Sequence, residues 1–220
     1  MIELPDFSRA YDYENSFYLS CATDRMSKVI AHYELYKMVQ DIPGAIVECG
    51  VFKGASFVRF AMLRDILGSN FSKQMIGFDC FGEFPESSLP SDQIHRQQLI
   101  DNAGDQSIST EQLRSVLKHK GIDSFYDLIE GDIVKTIPEY VEKHPELRIS
   151  LLNMDADLYD PSVTILEYLY PKIVKGGILL IDDYGFFPGE TKAVDEFFAD
   201  KDITINKFPF CMTPCYIVKR

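Results

Sequence analysis

In the stretch "LLNMDADLYD", residues 151–160, an apolar run ends in Asp155, Asp157 and Asp160. Residues 176–185, "GGILLIDDYG", repeat the pattern with Asp182 and Asp183. If both runs are buried parallel strands lying side by side, their carboxyl ends bring Asp155 and the Asp182–Asp183 pair to one place. Carboxylates so close repel one another and do not all stay ionised without a cation. Oxygen-only donors suit a hard divalent ion, magnesium first, with calcium or manganese as alternatives. Such an ion lowers the pKa of a bound hydroxyl as it does that of water. Asp155, Asp182 and Asp183 follow apolar runs directly and are the metal-ligand candidates. Asp160 reads instead as the N-cap of the helix "DPSVTILEYL", with proline at its first position. Asp157 is left open, and on spacing alone Asp155-Ala-Asp157 also fits the D-x-D of a sugar-nucleotide glycosyltransferase.

A second constellation is "IVECGVFKGAS", residues 46–56, which places Glu48 at a strand end, then Gly50 and Gly54, then Ser56 at the start of a helix. Glycines let the backbone turn sharply and approach a ligand closely. The helix N-terminus offers free N–H groups to a carboxylate. Glu48 would repel a pyrophosphate but accepts from an ammonium. A ligand carrying both groups is an amino-acid zwitterion, which points to S-adenosylmethionine rather than NAD. Asp79 ends the next strand, where an acid binds the hydroxyls of an adenosine ribose.

These residues need a scaffold, and the chain of 220 residues suits one sizeable domain. Hydrophobic residues make up 46%, enough for a full core. Residues 1–22 are polar and aromatic without a period and read as an N-terminal arm or lid; residues 23–220 form the domain. "TDRMSKVIAHYELYKMVQ" is a helix capped by Thr23 or Asp24. "PGAIVECG" and "KQMIGFDC" are strands around the helix "GASFVRFAMLRDIL". The segment 81–109, with its run "ESSLPSDQ", is expected to be irregular apart from a short helix near 94–100. A segment this long inside a domain is usually functional. "STEQLRSVLKHKG" is a helix with a capping box from Ser109 and Gln112. Then follow "FYDLIEGD" (strand), "TIPEYVEKHP" (helix), "RISLLNMDAD" (strand), "DPSVTILEYLYPKIV" (helix), "GGILLIDDYG" (strand) and "ETKAVDEFFAD" (helix). "ITINKFP" and "CYIVKR" close the chain as an antiparallel pair. Alternating strands and helices predict an α/β fold with a doubly wound, mainly parallel sheet. Ligands bind such sheets beyond the carboxyl ends of the strands.

The formal net charge of −12 speaks against nucleic-acid and anionic-lipid partners. There is no basic leader at the start and no run long enough to span a membrane, so a cytoplasmic protein with reduced thiols is expected. Of the four histidines, only His95, in the long segment, is placed to reach a substrate.

"VECGVFKGAS", "GFDCFGEFPE", "LLNMDADLYDPSVTILEYLYPKIVKGGILLIDDYG" and "KAVDEFF" together resemble the macrocin O-methyltransferase family, metal-dependent class I methyltransferases acting on sugar or aromatic hydroxyls. The resemblance runs from about Thr23 to the C-terminus. It implies a Rossmann-like methyltransferase sheet with an antiparallel C-terminal strand and an N-terminal helical cover. Glu48, Gly50, Gly54 and Ser56 would line the methionine end of S-adenosylmethionine and Asp79 its ribose, with Asp132 of "EGD" on the adenine side. Asp155, Asp182 and Asp183 would hold Mg2+, and Asp155 would double as the base for a small-molecule hydroxyl acceptor; the residues themselves leave Asp155, His95 and bulk water open as the proton acceptor. Cys80 stands where the family more often has serine. Leu158 stands where the similar catechol enzymes carry a lysine base. The expectation is therefore an O-methyltransferase. The alternatives are a metal-dependent glycosyltransferase or a non-catalytic cofactor-binding module. The aromatic-rich arm is the candidate interface of a homo-oligomer.

Overall fold

The computed structural model describes residues 2–86 and 89–220. One sheet runs through the described residues: β1 (Ala45–Cys49), β2 (Met75–Asp79), β3 (Tyr126–Glu130), β4 (Ile149–Met154), β5 (Ile173–Ile181), β6 (Asn206–Lys207) and β7 (Cys215–Val218), in the order β3-β2-β1-β4-β5-β7-β6, all pairs parallel except those that β7 makes with β5 and β6. Among the described residues eight α-helices accompany it: α1 (Ala10–Ser20), α2 (Thr23–Val39), α3 (Ala55–Leu67), α4 (Pro90–Ala103), α5 (Thr110–His119), α6 (Ile133–Lys143), α7 (Tyr159–Tyr168) and α8 (Pro188–Phe198). Every residue of β1 and β4 is buried, as expected where helices cover both faces of a sheet. Leu35, Tyr36, Phe57, Phe60, Leu113 and Leu117 from α2, α3 and α5 pack on one face. Ile137, Ile165, Leu166, Ala193, Val194 and Phe198 from α6, α7 and α8 pack on the other.

The register sets the site. Cys49 pairs with Met154 and Met154 with Ile181, so Gly50, Asp155 and Asp182 leave three adjacent strands at one level. The strand order reverses direction between β1 and β4, which is where open α/β sheets bind ligands.

Several boundaries differ from expectation. The arm folds as a short 3-10 turn (Phe7–Arg9) and then α1, none of whose residues is buried; a helix without a buried face leaves no period to read. The N-cap of α2 is Ala22, with no side-chain cap from Thr23 or Asp24. Helix α7 begins at Tyr159 with Leu158 as N-cap, so Asp160 lies in the first turn rather than capping it. There it still favours the helix dipole. The capping box of Ser109 and Gln112 forms as read.

The long segment is more helical than expected, with α4 beginning at Pro90. Part of the polar run, positions 87 and 88, lies outside the described residues. The sole buried residue of α4 is a carboxylate, Asp92. Its Oδ2 accepts from the Tyr159 backbone N–H at 3.0 Å, at the start of α7. Gly189, at the start of α8, approaches so closely that a Cβ there would sit 2.3 Å from the same oxygen. At the other end, the Lys53 ammonium donates to the Ala103 carbonyl at 2.5 Å. Polar latches rather than a buried apolar stripe thus hold α4 down. Asp92→Ala leaves the Tyr159 N–H without this partner, a cost of about 1–3 kcal/mol. Amide hydrogen exchange should then quicken across 90–103 while β4 and β5 stay protected; unchanged exchange across 90–103 refutes the latch.

Candidate functional site

The loops after the central strands enclose a cavity of about 1010 Å³. Gly50, Ser56, Asp79, Asp132, Asp155 and Asp183 are among the residues that line it. Most of the cofactor and metal candidates therefore meet at one cavity; Glu48 and Gly54 do not line it.

Glu48 is fully buried, an unusual place for a carboxylate. Its Oε1 accepts from the Ser56 hydroxyl at 2.7 Å, which ties the end of β1 to the first turn of α3. Its Oε2 is buried without a hydrogen-bond partner. Burial pushes the carboxyl up to about 7, against the pull of Ser56 and Asn153. Gly50 has φ +91°, and a Cβ there would lie 1.7 Å from the Asp155 carbonyl oxygen. Only glycine lets the turn after β1 press against the turn after β4. Gly54, at φ +83°, is the N-cap of α3.

Asp79 accepts from the Phe52 N–H at 2.8 Å with Oδ2 and from the Phe81 N–H at 2.7 Å with Oδ1. Both phenylalanines have φ +48°, so the carboxylate holds two strained loops at the cavity wall. Asp132 caps α6, accepting from the Val134 N–H at 3.0 Å, and lines the same cavity.

Of the acids, Asp155, Asp157 and Asp183 come together, each offering an oxygen within 4.8 Å of the others. Asp157 adopts φ +61°, a conformation that costs energy outside glycine and concentrates at functional loops. Burial, then the charge of Asp182, raises Asp155 well above the usual carboxylate range. Burial, then Asp183, does the same to Asp157. Burial and the charge of Asp182 push Asp183 up to about 6. Asp182 is turned elsewhere: its Oδ2 lies 2.5 Å from the Lys28 ammonium, which also stands 3.8 Å from Asp155. Burial opposes the charge on Lys28, but the surrounding carboxylates outweigh it and raise its pKa.

His95 is placed apart. Its ring faces Phe187 at 5.7 Å, its Nδ1 lies 3.3 Å from the Ser91 carbonyl, and it is not among the residues lining the cavity. Sequence reasoning missed Lys28, Arg25 and Arg59, cations in the cavity wall of an acidic chain. Arg25 and Lys28 are three apart on α2 and so share a face, but charges spaced that way usually mark a solvated helix surface. It also missed Glu190, fully buried on α8, whose Oε1 accepts from the Asp183 N–H at 2.8 Å and fixes that turn.

The sequence model of the family described as Macrocin-O-methyltransferase (TylF) matches residues 10–212. Among curated relatives, the 8-demethyl-8-(2,3-dimethoxy-alpha-L-rhamnosyl)-tetracenomycin-C 4'-O-methyltransferase of Streptomyces olivaceus is 28% identical over 149 residues, covering 67% of this chain and 55% of that protein. The demethyldecarbamoylnovobiocin O-methyltransferase of Streptomyces niveus is 29% identical over 184 residues, covering 76% of this chain and 64% of that protein. The matches thus span less than two thirds of these relatives' lengths. Among solved structures, the calicheamicin methyltransferase CalS11 is 27% identical with a TM-score of 0.78, over 93% of this chain and 83% of that one. The structure of the O-methyltransferase NovP, 23% identical with a TM-score of 0.71 over 87% of this chain and 79% of that one, shares the fold. No helix among the described residues is long and apolar enough to cross a membrane. With all but the ends of its length matched by the family's sequence pattern, the chain belongs to the macrocin-O-methyltransferase family.

Proposed function

We propose that the protein is an S-adenosylmethionine-dependent, magnesium-dependent O-methyltransferase acting on a hydroxyl of a small molecule, such as a sugar moiety of a natural product. The observation that carries this reading is the meeting of two sites through one backbone contact. Gly50, two residues after the buried Glu48, lines the same cavity as the acid cluster and abuts the carbonyl of Asp155. The relatives' names supply the acceptor class, a glycosylated natural product.

The residues fit both groups. The orphaned Glu48 Oε2 matches an ammonium, and Gly50, two residues on, lines the cavity. Three gathered carboxylates with raised pKa values match a divalent cation. When bound, the cofactor supplies an electrophilic methyl group and the metal acidifies the acceptor hydroxyl. Glu48 holds the amino-acid end, while Asp79 and Asp132 face the adenosine. Asp155 and Asp183 belong both to the ligand set read from the sequence and to the cluster. Asp157 supplies the third oxygen, and Asp182 is available where Lys28 withdraws. Asp155 would take the proton of the acceptor hydroxyl as that oxygen receives the methyl group the cofactor would supply. Holding the two reactants in line contributes most of the rate.

Calorimetry with S-adenosylhomocysteine, with and without Mg2+, tests the reading, and its pH dependence follows from Glu48. Glu48 must be ionised to accept an ammonium, so affinity should rise with pH through about 7. The ligand-free fold behaves oppositely. The folded value of about 7 lies above the ordinary 4.5, so this group's contribution to stability is fully present below about pH 4.5 and is lost as pH rises through 7. No cofactor binding at any pH, with binding of a nucleotide sugar instead, favours the glycosyltransferase. Cofactor binding that is indifferent to metal, with no acceptor methylated, favours the non-catalytic module.

A further inference from the structure

Arg59 has no role in the site as described so far, yet it lines the cavity. It follows Ser56 by three residues on α3, so both project from one face of the helix. Its Nη1 lies 3.0 Å from Nδ1 of His32. His32 is fully buried and stacks on Phe60 with ring centroids 4.7 Å apart. A guanidinium only donates, so Nδ1 accepts and His32 is neutral with its proton on Nε2. Burial, reinforced by the charges of Arg59, Lys28 and Arg25, holds His32 well below the ordinary histidine range. The histidine thus orients the guanidinium without neutralising it.

Among the described residues, no ion pair includes Arg59. A half-buried guanidinium without a carboxylate partner is costly, and its retention calls for an anion. The other cations of the wall are placed differently: Lys28 is engaged with Asp182, and Arg25 is exposed. Near Arg59 stands Glu48, whose Oε2 is the buried, unpartnered oxygen noted above. A cation lining the cavity and a fully buried anion with an unpartnered oxygen therefore lie near one another, Glu48 being tied to the first turn of α3 through Ser56. A zwitterion with an ammonium and a carboxylate on one carbon matches that pair. We propose that Arg59, oriented by His32, receives the carboxylate at the amino-acid end of the methyl donor while Glu48 receives the ammonium beside it. This assignment rests on the methyl-donor reading above. The fork geometry of the guanidinium suits a carboxylate bidentately, which a lysine would not reproduce.

The experiment compares two ligands by calorimetry. S-adenosylhomocysteine carries the amino-acid end, and 5′-methylthioadenosine keeps the adenosine and thioether but lacks it. Arg59→Met should weaken S-adenosylhomocysteine about 10- to 100-fold, the size of a lost charge-assisted hydrogen-bond pair. It should leave 5′-methylthioadenosine within about twofold. Arg59→Gln, which keeps a donor for His32 but no charge, should give the same split and serves if the methionine variant folds poorly. His32→Phe, which preserves the stack on Phe60 but not the acceptor, should weaken S-adenosylhomocysteine by a smaller factor and spare the truncated ligand. Equal losses for both ligands, or no loss for either, overturn the assignment of Arg59 while leaving the methyl-donor reading intact. An unmutated protein that binds neither ligand overturns both. A loss seen only with an anionic acceptor, and not with S-adenosylhomocysteine, assigns Arg59 to the acceptor and overturns the proposal.

Discussion

Asp155→Asn is expected to abolish measurable Mg2+ binding and to lower methyl transfer about 10²- to 10³-fold, the scale on which a single electrostatic group at a reacting centre acts. Asp155 is one of three carboxylates whose oxygens lie within 4.8 Å of one another. Its Oδ2 is also 3.8 Å from Lys28, and its carbonyl abuts Gly50. The substitution keeps shape and volume but removes one negative charge, so the turn should remain folded. Calorimetric titration of Mg2+ reads the first effect, and the metal-induced rise in melting temperature confirms it in the same samples. Asp123→Asn, on an exposed loop, is the control and should change neither. If Asp155→Asn binds Mg2+ as the unmutated protein does, the acids are not a metal site. The cluster would then be a set of buried carboxyls that share protons. Asp182→Asn makes the complementary point. It releases Lys28 from its partner at 2.5 Å, and the freed ammonium can then turn wholly to Asp155.

Much of this arrangement was legible in the sequence because strand ends carry it. "LLNMDADLYD" and "GGILLIDDYG" are apolar runs that stop at acids, and a parallel sheet in register brings such stops together. The glycine turn was legible for the same reason, since Glu48 and Ser56 bracket a βα corner whose geometry is local. What was not legible depends on which neighbour a side chain turns towards. Asp155 and Asp182 look equivalent as first acids after a strand. Yet Asp182 pairs with Lys28, from a helix 154 residues away in sequence. Asp157 joins the cluster through a left-handed backbone that its residue type does not announce. Helix α1 was expected only as part of an N-terminal helical cover, without bounds, because it buries nothing, and α4 was underestimated because its one buried side chain is a carboxylate. Hydrophobic periodicity finds helices by their buried apolar stripe, and these two helices have none.

Lys28 also explains how so many acids coexist in a ligand-free protein. Asp155, Asp182 and Asp183 all act on it, and its ammonium is their internal counter-charge. Protons supply the rest. Asp157 and Asp183 interact closely enough for one to hold a proton towards the other, in keeping with the upward shift of both. On the proposed metal reading, Mg2+ would have to displace that proton, so its affinity in a calorimetric titration is expected to rise with pH through the range in which Asp183, at about 6, ionises.

Gly50→Ala is expected to be the most damaging single-methyl change in the chain, costing about 3 kcal/mol or more of stability. The left-handed φ of +91° is one part of the cost, and the contact is the larger one. A Cβ at Gly50 would stand 1.7 Å from the Asp155 carbonyl oxygen and 2.6 Å from its carbonyl carbon, both backbone atoms at the end of a fully buried strand. Neither can rotate aside, so either the Glu48 turn or the Asp155 turn must move. Gly54→Ala isolates the conformational part. Its φ is a similar +83°, but its Cβ would meet only side-chain atoms, the tip of Leu113 at 3.3 Å and Ile108 at 3.7 Å, which can yield. That variant should lose about 1 kcal/mol, the cost of a left-handed residue alone. Denaturant midpoints compare the two. If Gly50→Ala is no worse than Gly54→Ala, the two turns are not in rigid contact and the coupling between cofactor wall and acid cluster fails. If it is much worse, and any folded fraction has lost Mg2+ and S-adenosylhomocysteine together, the absent methyl group of one glycine is what lets a methyl donor and a metal share a wall.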